Sequence, residues 1–364
     1  MIVAKIKNSR NSCFQSKGDT GGNSSLRAPG GGHLDTTEYH RHSPRTPHPK
    51  RARRVAFSKP LARLLMGSSQ SPKMVRAYAR TVNTCGQVVE QVDGKLKTTW
   101  CGGRWCAACG AIRTARAYAA YGDEVRSWGS DLYLVTITVP NCTGAKLRDT
   151  VKEMHHNFSL ICLALRRKYG TGNVKMIRAT ECTYSEVRGD FHPHCHIAVR
   201  GKDIATALLA HWMKRNPEAS PRAQDIRKGD GGTVAELFKY STKLASDKRD
   251  ADGSRKVVPA HALDTIFQAF YRQRLWQVVG ITAANNDEGA DDDNAAIDVE
   301  VGTVATTRKD EHIIWHWCQS LTDWVDFATG DTLSQYEAGR HARALIQKLE
   351  MMADEASQRV RAAP

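Results

Sequence analysis

In the middle of the chain, apolar and polar positions alternate with a period of two in three places. Leu132 to Asn141 mixes Leu, Val and Ile with Tyr and Thr and runs into Pro140, which cannot donate to a ladder, so a strand is predicted that ends there. Arg178 to Tyr184 and Phe191 to Val199 read as two further strands, joined through the turn-forming residues Arg188, Gly189 and Asp190 into a hairpin. On the second of these strands His194 and His196 project from one face, while Cys195, Ile197 and Val199 project from the other, where they suit a core. Elsewhere the period changes to that of a helix. Thr233 to Ser246 has helical composition, and Glu236, Tyr240 and Lys243 fall along one face at i, i+4 and i+7. Arg113 to Arg126 is helix-like and rich in arginine, and Leu333 to Val360 is long, charged and mostly helical, with Leu345, Leu349 and Met352 at helical spacing. His312 to Trp317 has strand character.

The hairpin and the helical segment carry the candidate chemistry. Two imidazoles on one strand face can share a divalent ion, whereas a single strand histidine is usually a core or surface residue. A turn centred near Val187 and Arg188 sets Glu181 opposite His194 and completes a site of two imidazoles and one carboxylate. A slip of one residue turns Glu181 away and leaves Glu186 as the second candidate. His192 shares the parity of the pair, but Pro193 intervenes, so it is expected to orient a ligand rather than serve as one. On the helical segment a phenol, a carboxylate and an ammonium line up. A phenolate attacking phosphorus needs help in holding negative charge, which a metal and Lys243 can supply, and Glu236 can deprotonate a water in a later step. Tyr184 and Tyr271 compete with Tyr240 as nucleophiles, with aromatic packing as their plainer role.

Four of the ten cysteines, Cys85, Cys101, Cys106 and Cys109, cluster in sequence, and the last pair has the two-residue spacing of a metal knuckle. A structural Zn²⁺ is expected there, the alternative being four small buried hydrophobes. Cys142, Cys162, Cys182 and Cys195 stand singly among apolar neighbours and are expected to be such hydrophobes. Arg104 in the cluster, and Arg113 and Arg116 just after it, are candidate phosphate contacts, or else an ordinary solvated helix face.

Composition narrows the partner. A formal net charge of +15 favours an anionic ligand, because Lys and Arg contacts that release counterions from phosphate drive nucleic-acid binding. Residues 1–60 hold a surplus of basic residues and little apolar periodicity, and are expected to be a disordered, DNA-clinging arm or a solvated tail. Residues 287–300 hold acids and no Lys or Arg and read as a solvated linker. No stretch approaches the ~20 apolar residues of a membrane span, so a cytoplasmic protein with no membrane partner is expected.

The order of these motifs is similar to that of a known family. A Thr-Ile-Thr strand, a Glu181-Cys-Thr-Tyr strand, His-Pro-His-Cys-His at 192–196 and a later Glu-x-x-x-Tyr-x-x-Lys segment, preceded by the cysteine-rich element, resemble the rolling-circle replication initiators of small plasmids in the HUH endonuclease superfamily. The resemblance covers roughly residues 85–280. It implies that His194 and His196 bind a divalent metal, that Tyr240 bonds covalently to DNA, and that Glu236 activates water at termination, as in the branch with a glutamate four residues before the tyrosine. A nucleophile after the histidines favours an initiator over a conjugative relaxase. The fold expected is α+β: an HUH-type antiparallel sheet flanked by helices, with a small cysteine-rich zinc element and a disordered basic N-terminus. The expected divisions are a basic arm (1–72), a cysteine-rich zinc element with a basic helix (73–128), an HUH nickase domain (129–282), an acidic linker (283–302) and a C-terminal strand with a helical tail (303–364). The expected activity is metal-dependent nicking of one DNA strand at a plasmid origin through a 5′-phosphotyrosine, with Mn²⁺ or Mg²⁺ as the catalytic ion. A host polymerase would use the free 3′-hydroxyl, and a host helicase would open the duplex. A rolling-circle transposase with the same chemistry and a non-catalytic zinc-containing DNA-binding protein are the alternatives.

Overall fold

The computed structural model describes residues 49–92, 95–230, 232–233, 237, 245–249, 255–284, 297–303 and 313–362. In chain order these form α1 (Pro49–Ser68), α2 (Pro72–Asn83), β1 (Val88–Val92), β2 (Lys95–Trp100), α3 (Ala107–Ser127), β3 (Leu132–Thr138), α4 (Gly144–Tyr169), β4 (Met176–Ser185), β5 (Asp190–Arg200), α5 (Lys202–Arg215), β6 (Asp225–Lys228), β7 (Ala245–Arg249), β8 (Arg255–Val257), α6 (Ala260–Phe270), β9 (Trp276–Val279), β10 (Ile297–Thr303), β11 (Ile314–Cys318), β12 (Asp323–Val325) and α7 (Arg340–Ala362). The class is α+β, with every strand pairing antiparallel.

The central sheet has the order β6-β3-β5-β4-β9, so the expected hairpin β4–β5 lies at its middle. Each of its two faces is covered differently. Val135, Ile137, Cys195, Ile197 and Val199 point to one face and pack with Met154, Phe158 and Ile161 of α4 and with Leu208 and Trp212 of α5. On the other face Leu132, Ile177, Ala179 and Ala198 pack under Val125 and half-buried tyrosines of α3, together with Leu237. The strict alternation along β3 and β5 arises from this double packing, since each strand presents alternate residues to each layer.

A second sheet, β10-β2-β1-β11-β12, interleaves strands from the cysteine-rich region with strands from the C-terminal region. Its tryptophans Trp100, Trp315, Trp317 and Trp324 share one core with α1, α2, the four clustered cysteines and α7. Segments expected to be separate thus fold together. Two of the sequence expectations change here. Residues 49–72 are not part of a disordered arm: α1 buries Ala52, Val55, Ala56, Leu61, Ala62 and Leu65, a helical stripe interrupted by basic residues that hide it from a composition count. Pro60 sits inside this helix, where it leaves the carbonyl of Ala56 without its usual donor, and the side-chain amide of Gln319 donates to that oxygen at 3.0 Å. Residues 1–48 lie outside the described residues. Likewise the end of the expected acidic linker, from Ile297 on, is strand β10, paired with β2, with Ile297, Val299 and Val301 alternating through the acids, while residues 285–296 lie outside the described residues.

Two helix boundaries also move. The helical tail begins at Arg340 rather than Leu333, because the buried carboxylate of Asp323 accepts from the backbone N–H groups of Ser334 (3.1 Å) and Tyr336 (3.2 Å) and holds that segment as a loop. Its Ile346, Leu349 and Ala353 are buried in the shared core, and the helix packs along α1. The expected helix over Thr233–Ser246 does not reach its end, since Ala245–Arg249 is a strand paired with β8.

Candidate metal centres and the open sheet face

The register of β4 with β5 sets Glu181 opposite His194 and Ala179 opposite His196, and that of β5 with β3 sets Thr138 opposite His194 and Thr136 opposite His196. Glu181, His194 and His196 therefore share one face, and each can offer one ligand atom within 4.8 Å of the others. Glu181 and His194 are each 8% exposed. His194 Nδ1–H donates to the carbonyl of His192 at 3.1 Å, which turns Nε2 towards Glu181 Oε2, 3.7 Å away. An imidazole nitrogen and a carboxylate oxygen facing each other at this distance can take a cation between them. Two imidazole nitrogens and one carboxylate oxygen on a single face also leave open positions for a substrate, a donor set compatible with Mn²⁺ or Mg²⁺. His196 Nδ1 lies 3.1 Å from Thr136 Oγ1, which fixes its ring plane.

His192 orients the pair through its backbone carbonyl. Its own ring stacks on His194 with centroids 5.4 Å apart, and its Nδ1 lies 2.7 Å from Asn141 Oδ1. Burial, and then the neighbouring His194, pull its pKa below the ordinary histidine value. Pro193 does not break β5. Phe191 exchanges both backbone hydrogen bonds with Cys142, so the imide nitrogen two residues on faces the same side, where Pro140 has already ended β3. Glu186 is exposed in the turn, away from the pair. Tyr184 packs on Phe191 and His261, and its place in β4 gives it the parity of Thr180 and Cys182, the face opposite Glu181. Tyr271 follows the last turn of α6. Glu236, Tyr240 and Lys243 lie outside the described residues. Leu237, beside them in sequence, is 2% exposed in the cluster that packs on the same sheet face as Glu181.

The second cluster differs in every respect. Cys85, Cys101, Cys106 and Cys109 are all buried, with sulfur–sulfur separations of 3.5 Å (85–106), 3.7 Å (85–109) and 3.6 Å (101–109). A tetrahedron of thiolates around Zn²⁺ has edges of ~3.8 Å, from Zn–S bonds of about 2.3 Å, so the four sulfurs fit that ion. The surroundings also suit thiolates. Backbone N–H groups of Gly103 and Cys109 point at Cys101 Sγ (3.3 Å) and Cys106 Sγ (3.5 Å), and the Thr81 hydroxyl donates to Cys101 Sγ at 3.1 Å while accepting from Trp105 Nε1. Hydrogen bonds from Cys101, Cys109 and Cys85 pull the Cys106 thiol well below its usual pKa. Buried Lys59 stands near the cluster. Burial lowers its pKa, while the charges of Cys85, Cys106 and Cys101 pull the other way. Cysteine spacing signalled the ligands; Thr81 and Lys59, which lie outside that spacing, carried no such signal.

The arginines after the cluster have structural partners. Arg104 is 8% exposed and donates to the carbonyl of Gln273 at 2.6 Å, and Arg113 donates to the carbonyls of Gly102 (2.7 Å) and Gly103 (3.1 Å), bracing the knuckle. Arg116 is half-buried on α3. The expectation that Arg104 and Arg113 offer their guanidinium groups to phosphates thus yields to internal hydrogen bonds. Of the lone cysteines, Cys162, Cys182 and Cys195 are buried as expected and Cys142 is half-buried.

Among the described residues no helix is long and apolar enough to cross a membrane. Residues 94–200, from β2 to the end of β5, match the family described as replication protein. A curated relative named Protein rep, from Staphylococcus aureus, is 28% identical over 165 residues, which cover 40% of this chain and 71% of the relative. No solved structure matches the chain. The matched stretch contains three of the four clustered cysteines and the whole β4–β5 hairpin.

Proposed function

We propose that this chain, which its family match and its relative support as a plasmid replication initiator of the rolling-circle kind, is a site-specific DNA nickase that uses the Glu181–His194–His196 face. The observation that carries the reading is the register that brings a buried carboxylate and two oriented imidazoles onto one open sheet face. A divalent ion held by these three residues would supply Lewis-acid polarisation of the scissile phosphodiester. The chain's own residues do the rest. His192 and Thr136 hold the two imidazoles in their ligating orientation, and the wall formed by α3 with Leu237 excludes water from one side of the face. Tyr240 Oη attacks phosphorus; a Tyr–O–P bond forms, the P–O3′ bond breaks, and the phenolic proton is lost as the 3′ oxygen gains one. Lys243 stabilises the charge on the phosphoryl oxygens. At the end of a round Glu236 takes the proton of a water that displaces the tyrosine, so that one tyrosine serves the whole cycle. The position of Leu237 beside this face supports the assignment of the neighbouring Glu236 and Tyr240.

The free 3′-hydroxyl would prime a host polymerase, and the scissile strand must be unpaired to reach a recessed face, hence a helicase or a supercoiled origin. The test is incubation of the protein with its own supercoiled plasmid and Mn²⁺, followed by detection of protein joined to a 5′ end. Tyr240→Phe keeps the aromatic ring and removes the nucleophilic oxygen, so DNA binding is expected to persist while nicking and the adduct vanish. An adduct of undiminished yield in that variant, or one mapped to Tyr184 or Tyr271, refutes the assignment.

A further inference from the structure

Beside the cysteine cluster, α2, the knuckle and the end of α6 enclose a cleft of about 50 Å³, lined among others by Arg80, Arg104, Trp105, Phe267, Tyr271 and Arg272. Three exposed cations surround it. Lys73 Nζ stands 4.3 Å from the centroid of the Tyr271 ring, the Arg272 guanidinium lies 5.7 Å from the same ring, and Arg80, one and two turns along α2 from Arg76 and Lys73, sits at the rim. Like charges so grouped repel, and among the described residues no carboxylate pairs with Lys73, Arg80 or Arg272. The sequence explains why: there is no acidic residue between Glu38 and Glu90. Asp264, on the neighbouring α6, is buried and bound to Tyr78 Oη (2.6 Å) and Gln268 Nε2 (2.8 Å).

The aromatic centre of the cleft is held in place. Arg148 donates to the carbonyls of Gln268 (2.9 Å) and Tyr271 (3.2 Å), closing the end of α6, and Arg272 adopts a left-handed backbone with φ of 57°, a costly conformation for a residue with a side chain. Three cations without a carboxylate partner, of which the exposed Arg80 makes one long hydrogen bond, 3.5 Å, to the carbonyl of Cys101, stand around a half-buried phenol ring and match a nucleotide: phosphates for the cations and a base for the ring. The segment after Tyr271 then leads straight to the proposed catalytic sheet, since the carbonyl of Leu275 accepts from Thr180 N–H, next to Glu181.

We propose that this cleft is a second binding site for single-stranded DNA, in which Arg80, Arg272 and Lys73, swung off the ring, bind the phosphodiester backbone and Tyr271 stacks on a base, leading the strand towards Glu181, His194 and His196. The inference rests on the reading that the chain works on single-stranded DNA.

The test measures binding of the full-length protein to fluorescent (dT)20 as a function of salt, without added divalent metal so that no nicking intervenes. Arg80→Gln combined with Arg272→Gln is expected to weaken binding about tenfold at low salt and to flatten the dependence of log K on log salt by about 1.4, at roughly 0.7 for each single-strand phosphate that is no longer neutralised. Tyr271→Leu is expected to cost about five- to hundredfold with the slope unchanged, as removal of one stacked base does. Arg359→Gln with Arg361→Gln, equally exposed cations at the end of α7, serves as the control and is expected to change little. All these side chains but Tyr271 are exposed, and zinc content checks that each variant is folded. Wild-type affinity and slope in the first variant, or undiminished affinity in Tyr271→Leu, overturns the proposal, as does an equal loss for Tyr271→Leu on a 20-base-pair duplex. Nicking of the plasmid is scored separately: wild-type protein that fails to nick but binds (dT)20 through these residues defeats the nickase reading and leaves the cleft, and nicking with unaltered binding by the variants does the reverse.

Discussion

The two clusters of candidate metal ligands stand on opposite principles. The four cysteines are buried, drawn from α2's end, the end of β2 and the start of α3, and the sulfurs of Cys101 and Cys106 also receive hydrogen bonds from N–H and hydroxyl donors. Nothing else could reach an ion placed among them. Glu181, His194 and His196 lie on adjacent strands of a continuous sheet, and their ligand atoms point off one face with His196 only partly covered. The first arrangement closes a core; the second leaves His196 partly exposed at one side of the face. The difference teaches where each would fail: the cysteine cluster ties the end of α2 and the start of α3 to the hairpin β1–β2 inside one shared core, so its ion would add to the folding energy, whereas the central sheet exists whether or not its face holds an ion.

Changing Cys106 and Cys109 to Ser is expected to break this contrast most severely. Wild-type protein is expected to contain about one zinc by elemental analysis, and the double variant to lose it together with several kcal/mol of stability, read as a fall of thermal midpoint of about 10 °C or more. Unchanged melting in a zinc-free variant would leave four buried hydrophobes in place of a metal centre. His194→Ala makes the complementary test. It should reduce nicking by about a hundredfold or more while leaving zinc content and melting within ordinary variation, since removal of a ligand's partner alone typically costs 10- to 100-fold in metal affinity. Equal loss of fold and activity would mean that the sheet face is structural too.

Glu236→Ala sharpens the open site further. General-base removal typically costs about 10²–10⁴-fold, and the loss should fall on hydrolysis of the phosphotyrosine rather than on the first cut, so that DNA-linked protein accumulates in a time course. Parallel loss of both steps would make Glu236 structural.

The back of the same sheet offers a pH test. His155 of α4 lies 2.9 Å from Thr180 Oγ1, and burial, with Arg178 and Arg104 nearby, pushes its pKa down to about 3. A histidine whose folded pKa lies below the unfolded value near 6.5 takes up its proton more readily when unfolded. Its contribution is therefore intact above about pH 6.5 and is lost as pH falls towards 3. His155→Gln should flatten melting temperature against pH in that window, and an unaltered profile would place the acid sensitivity elsewhere. The smallest expected effect is that of Gln319→Leu, which removes the donor to the Ala56 carbonyl left by Pro60 and should cost about 1–2 kcal/mol in denaturant unfolding.

The hairpin and the shared face of His194 and His196 were legible because a period of two is local, whereas the choice of Glu181 over Glu186 depended on a turn centre that only the observed register of β4 with β5 fixes. The knuckle pair Cys106 and Cys109 was legible for the same reason. Tertiary structure decided everything that depends on distant partners. Basic residues mask the apolar stripe of α1, and only packing against α7 and the second sheet makes that helix worth forming. Arg104 and Arg113 read as phosphate ligands by charge, yet carbonyls brought close by the knuckle and by residue 273 take their hydrogen bonds. Asp323 stops the last helix short by binding three backbone amides that no periodicity foretells. The chain's pattern therefore determined which residues share a face, because side-chain direction follows from backbone period, while the fold alone determined which charges are neutralised, because that depends on what the rest of the chain brings within 3 Å.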